Sequence, residues 1–129
     1  MCVRAQEFGI AERVHYLRGG NLDALIRGAA GVVTVNSTSG IRALQLGRPL
    51  KVLGDAVYDV QGLSEQRDLD AFWRSPQGPD AALVTDFLAA LAATVQVRGI
   101  FFEEPGVSEA ADAAARRLIQ GRIGEPEAD

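Results

Sequence analysis

One stretch limits what this chain can fold into more than any other: Gly31 to Gly54, GVVTVNSTSGIRALQLGRPLKVLG. Val32, Val33 and Val35 surround Thr34 in a β-branched run that suits a strand. Asn36, Ser37, Thr38 and Ser39 follow together with Gly40 behind them, a composition for a sharp turn and a helix N-terminus. Ile41, Ala43, Leu44 and Leu46 then lay out an apolar helix face. Gly47 stops that helix and Pro49 prevents its continuation. Leu50 to Leu53 gives a second apolar strand. Both strands are nearly all apolar, as strands of a parallel sheet covered on both faces are. The hydroxyl turn between the first strand and the helix therefore sits at the carboxyl edge of a sheet, where open α/β folds bind ligands. Free N–H groups and hydroxyls at such a turn suit an anion.

The rest of the chain is read as support for that unit. Val3, Ala5, Phe8 and Ile10 fit a short helix that gives way to a loop at Gly9. Val14, Tyr16 and Leu17 alternate with His15 in a short third strand, so Val14–Leu17, Val32–Val35 and Leu50–Leu53 are expected side by side in one parallel sheet. A short helix covers Leu22, Leu25 and Ile26, with Asp23 in its first turn. A loop follows Leu53. Leu69, Phe72 and Trp73 cluster on a helix starting near Leu63 or Glu65. Leu83, Phe87, Leu88, Leu91 and Val95 recur at helical spacing from Asp80 to about Gln96. Ile100 to Phe102 reads as a strand or a packed loop. Ser108 caps a last helix whose buried side is Ala110, Ala113, Ala114, Leu118 and Ile119. The expected class is α/β, with residues 1–121 as one domain and 122–129 as a flexible tail.

Composition narrows the chemistry. The 129 residues suit one domain and carry a net charge of −4, which argues against a nucleic-acid binder. The single cysteine, Cys2, forms no internal disulfide and has no partner cysteine for a metal, and the mild inference is a reducing, cytoplasmic setting. No run approaches a transmembrane span, so any membrane association is expected to be peripheral. Neither a lysine-bearing phosphate loop nor a dinucleotide fingerprint is present.

The candidate anion site is Asn36, Ser37, Thr38, Ser39 and Gly40. An ordinary helix cap is the plainer reading, yet three consecutive hydroxyl residues exceed what one cap requires. Asp55 and Asp59 either edge a cleft after the second strand or are solvated loop carboxylates, and two acids are too few for a metal site. Tyr58 stacks on a ring or packs its loop. The lone His15 reads as structural or surface-exposed, with no spacing that places it in a serine triad.

The ordered block VVTVNSTSGIRALQLGRPLKVLGDAVYDVQGL resembles the signature region of bacterial capsule polysaccharide biosynthesis and export proteins, a family that includes enzymes adding Kdo to the lipid terminus of capsules. The resemblance continues upstream through RVHYLRGGNLDALIRGA, downstream to LDAFW with Pro76, Pro79 and Asp80, and again at QVRGIFF. It runs roughly from Arg13 to Phe102. What it implies is a three-layer Rossmann-like domain similar to the C-terminal, donor-binding half of a GT-B glycosyltransferase. It also implies CMP-Kdo as donor substrate, with no further cofactor, and a glycolipid as acceptor. Family motifs carry over onto Asn36, Ser37, Thr38 and Gly40, and onto Gly47, Pro49, Lys51, Gly54, Tyr58 and Asp59. Lys51, Gly54, Asp55, Tyr58 and Asp59 are the expected cleft-lining set. Ser39 stands where a small apolar residue is common, and Asp55 where a basic one is. Family proteins are several times longer, so the resemblance implies an incomplete or split enzyme (a short homologue, a fragment of a split gene or a degenerate remnant), with an acceptor domain expected from a partner or a second copy. The alternative is a noncatalytic nucleotide-binding or assembly domain of a capsule synthesis complex.

Overall fold

A computed structural model describes residues 3–94, 96–97 and 102–121. Among them the elements in chain order are α1 (Val3–Glu7), a 3₁₀ turn (Ala11–Arg13), α2 (Leu22–Gly28), β1 (Val32–Thr34), α3 (Ser39–Gln45), β2 (Leu50–Val52), α4 (Leu69–Arg74), α5 (Ala81–Thr94) and α6 (Gly106–Gln120). The chain is α/β, built around one small parallel sheet in which Val32, Val33 and Thr34 pair with Leu50, Lys51 and Val52.

The crossover read from the sequence forms as the residues dictate. Helix α3 packs on both strands. It closes at Gly47, whose φ of +64° is open to a glycine at little cost. There the Gly47 N–H donates to the Leu44 carbonyl (2.9 Å) and the Arg48 N–H to the Ala43 carbonyl (2.9 Å). This paired closure satisfies the last carbonyls and turns the chain into β2. Ala43 and Leu44 are buried with Leu50 and Val52, joined by Ile26 of α2, Tyr58, Leu63 and Val84 of α5. Arg42 of α3 grips Asp23 of α2 through two guanidinium nitrogens, Nε at 2.7 Å from Oδ1 and Nη2 on Oδ2. That hydrogen bond holds the Asp23 carboxyl below its ordinary range.

Several expectations are corrected. Val14–Leu17 is not a third strand. Val14, Tyr16 and Leu17 are exposed, and among the described residues the sheet contains β1 and β2 alone. Alternation says which residues share a face but supplies no neighbour for the ladder. Helix α4 begins at Leu69 rather than near Leu63, because Asp68 caps it by accepting from the Ala71 N–H at 2.7 Å. The residues before it are held along β2 instead, with the Glu65 N–H donating to the Leu50 carbonyl at 2.8 Å. Asp80 caps α5, its Oδ1 accepting from Ala82 and Leu83. In α6 the Glu104 carboxylate accepts from the Ser108 N–H (3.1 Å), so Ser108 lies inside the first turn and is not its cap. Ala110 and Ala113 are buried as expected, whereas Leu118 and Ile119 are exposed. Phe72 is buried against Gly31 and meets Trp73 edge-on at 5.6 Å, while Trp73 and Phe102 face outward. Val95, Ile100, Phe101 and the tail from 122 lie outside the described residues. No helix among those residues is long and apolar enough to cross a membrane.

Candidate functional site

The turn Asn36–Gly40 lies at the carboxyl ends of the parallel pair, between β1 and α3. Its backbone is tied down locally. The Ser37 N–H donates to Thr34 Oγ1 at 3.2 Å, so the one hydroxyl residue in the valine run anchors the start of the turn. The Ser39 N–H donates to Ser37 Oγ (3.2 Å) and the Gly40 N–H to the Ser37 carbonyl (2.9 Å). The Ser39 hydroxyl donates to Ser37 Oγ at 2.9 Å. The amides of Ser39 and Gly40, expected from the sequence to face an anion, are thus used within the turn. Thr38 has helical backbone angles and makes no side-chain cap. The Asn36 amide group and the Thr38 hydroxyl are exposed and have no protein partner among the described residues.

A second restraint comes from Tyr58. Its ring is buried in the core and abuts Gly40, with ring carbons 2.6 Å from where a Cβ would stand. Its hydroxyl donates to the Ser37 carbonyl, the same oxygen that receives the Gly40 N–H. Burial, and then the neighbouring Asp59 carboxylate, push the phenol above its ordinary value, so it stays protonated and donating at neutral pH. Gly40 is therefore required by close approach, since any side chain there would displace the ring that locks the turn. Eighteen residues separate Gly40 from Tyr58 in the sequence, and no local pattern signals the contact.

The other expected cleft residues are placed as follows. Gly54 leaves β2 beside Val35, donating its N–H to the Val35 carbonyl at 3.1 Å. Asp55 is exposed on the loop that follows, without a protein partner among the described residues. Asp59 accepts from the buried Ser64 hydroxyl (2.6 Å) and from Gln66 Nε2 (3.1 Å), which folds the loop 59–66 onto itself. Lys51 does not present a free cation. Its ammonium donates to the carbonyls of Glu65 (2.9 Å) and Arg67 (2.6 Å). The Glu65 carboxylate receives the Arg67 guanidinium, and that contact brings its pKa down to about 2. Among the described residues no group of His, Cys, Asp or Glu is assembled as a metal site. The structure thus brings Asn36, Ser37, Thr38, Ser39, Gly40 and Tyr58 together, and ties Lys51 and Asp59 into separate networks. Chemically, the turn offers a hydroxyl and an amide side chain on a rigid backbone at the positive end of a short helix.

Comparison with known proteins finds a similarity that includes this region. The sequence profile of a family described as capsule polysaccharide biosynthesis proteins matches residues 3–102. The chain is 40% identical over 98 residues to the capsule polysaccharide export protein KpsS of Escherichia coli, covering 76% of this chain and 25% of that protein. It is 37% identical over 92 residues to the capsule polysaccharide modification protein LipB of Neisseria meningitidis, covering 71% of this chain and 22% of the relative. It is also 37% identical over 102 residues to the protein FixF of Sinorhizobium fredii, covering 72% and 24%. The chain spans about a quarter of the length of these relatives. No solved structure matches it significantly.

Proposed function

The chain belongs to the capsule polysaccharide biosynthesis protein family, and from that premise we propose that it is the donor-binding part of a CMP-Kdo-dependent glycosyltransferase. In this reading the β1–α3–β2 unit is the centre of a Rossmann-like half of a GT-B enzyme, working in the cytoplasm at the inner membrane. The half that holds the glycolipid acceptor comes from a longer protein, a partner or a second copy. One observation carries the donor assignment: a turn at the carboxyl edge of two parallel strands has its backbone locked from beneath by Tyr58 while Asn36 and Thr38 stand free.

The chemistry follows from charge and rigidity. A CMP-linked sugar acid carries a phosphate and a carboxylate. The Thr38 hydroxyl and the Asn36 side-chain amide are donors to such oxygens, and the positive end of α3 adds a field of the right sign. Because the turn is already fixed, little conformational entropy is lost when the anion docks. Asp55 supplies an acceptor for ligand hydroxyls at the same edge. Tyr58 acts from below as a positioning residue.

Calorimetry with CMP tests the assignment on the wild-type chain and on Thr38→Val. Loss of one hydrogen bond to a charged group costs about 1.5–3 kcal/mol, so the variant should bind roughly tenfold to a hundredfold more weakly. Absence of CMP binding by the folded wild type, or equal affinity of the two proteins, would remove the donor site from this turn. Binding of CMP without sugar transfer, once an acceptor half is supplied, would favour the noncatalytic alternative.

A further inference from the structure

A second recognition surface lies away from the turn. Between α1 and the extended segment after the 3₁₀ turn runs a cleft of about 460 Å³, within the ~300–1,000 Å³ usual for small-molecule sites. Ala5, Val14 and Leu17 give it apolar walls, and His15, Tyr16 and Arg18 give it polar ones. The segment Arg13–Arg18 carries two arginines and a histidine with no acid, in a chain whose net charge is −4. The neighbouring acids do not neutralise it. Glu7 is paired with Arg4, and Glu12 is exposed on the 3₁₀ turn outside the cleft lining. Among the described residues His15, Tyr16 and Arg18 make no hydrogen bond or ion pair with the rest of the protein. The Tyr16 ring is 74% exposed.

A free guanidinium and a free imidazole beside an exposed aromatic ring and apolar walls fit a ligand with an acid group on a body that has an apolar face. We propose that this cleft binds an anionic saccharide, with Arg18 and His15 on its acid group and Tyr16 against the face of its ring. The anionic character rests on the cleft alone, and the sugar character rests on the family reading above. This site takes a sugar acid or sugar phosphate independently of the nucleotide at Asn36–Gly40.

The test is an NMR titration of the full chain with glucuronate, glucose 1-phosphate and glucose at millimolar concentration. Both anions should shift the amide signals of residues 14–18 and glucose should not. A stronger response to one anion identifies carboxylate or phosphate as the preferred acid group. Arg18→Ala should weaken binding at least tenfold, as expected for a lost charge-assisted contact, and Tyr16→Ala should weaken it as well. Both side chains are exposed, so the variants should keep the wild-type spectrum elsewhere. Excess CMP should leave the shifts in place. Three results would overturn the proposal: no response of residues 14–18 to either anion, unchanged affinity in both variants, or displacement of the sugar by CMP. CMP binding read on the same samples reports on the donor site separately.

Discussion

A single methyl group at Gly40 probes the support of the turn. An alanine Cβ there would stand 2.6 Å from Tyr58 Cε2 and Cζ and 2.8 Å from its hydroxyl oxygen. These contacts are far inside van der Waals distance, and the ring has little room to retreat because Tyr58 is only 3% exposed. Overpacking of this kind costs about 1–3 kcal/mol. Alanine in a helix returns up to about 1 kcal/mol over glycine. Gly40→Ala should therefore destabilise the wild-type chain by up to about 2 kcal/mol. In a Tyr58→Leu background the clash is absent, and the same substitution should be neutral or stabilising by up to about 1 kcal/mol. Gly28 in α2 provides the control, since a Cβ there meets nothing within 4 Å. Gly28→Ala should follow propensity alone. Urea unfolding of the four members of the cycle, with the control, measures these differences from midpoints at constant slope. An equal Gly40→Ala penalty with and without the Tyr58 ring would refute the claim that the ring and the turn are coupled.

Two further predictions concern the networks around β2. Lys51→Met removes the ammonium that holds the Glu65 and Arg67 carbonyls and should cost about 2 kcal/mol in urea unfolding, with no loss indicating that the contacts are incidental. The Glu65 carboxyl is lowered from 4.5 to about 2, first by its hydrogen bond from Arg67, so its contribution is complete above about pH 4.5 and is lost as pH falls through about 2. Glu65→Gln should therefore melt below wild type at pH 6, with the gap closing towards pH 2; a gap independent of pH would contradict this assignment.

The crossover was legible in the sequence because each boundary has a local cause. The β-branched run, the hydroxyl cluster, and the Gly47–Pro49 stop act over a few residues each, and the structure returns β1, α3 and β2 within a residue or so of those signals. The third strand was not legible, since Val14–Leu17 has the right alternation but strand formation is decided by a neighbour in space. Leu118 and Ile119 fail in the same way: helical spacing marks a face, and only a packing partner buries it. At the candidate site the sequence supplied the polar side chains and not their division of labour. The Ser39 and Gly40 amides looked available from the turn composition, but the Ser37 hydroxyl and carbonyl take both. The family resemblance put Tyr58 and Lys51 among the cleft residues, whereas tertiary contacts give one to the floor of the turn and the other to the carbonyls beside β2. Those assignments depend on contacts more than a dozen residues apart, beyond the reach of periodicity.

The proposed donor site sets CMP against the free side chains of the turn between β1 and α3. Mapping CMP-induced amide shifts on the isotope-labelled chain tests it most directly. The largest shifts should fall on residues 36–40, with smaller ones at Asp55 and Tyr58. Saturable shifts that leave residues 36–40 unmoved and gather elsewhere would contradict it.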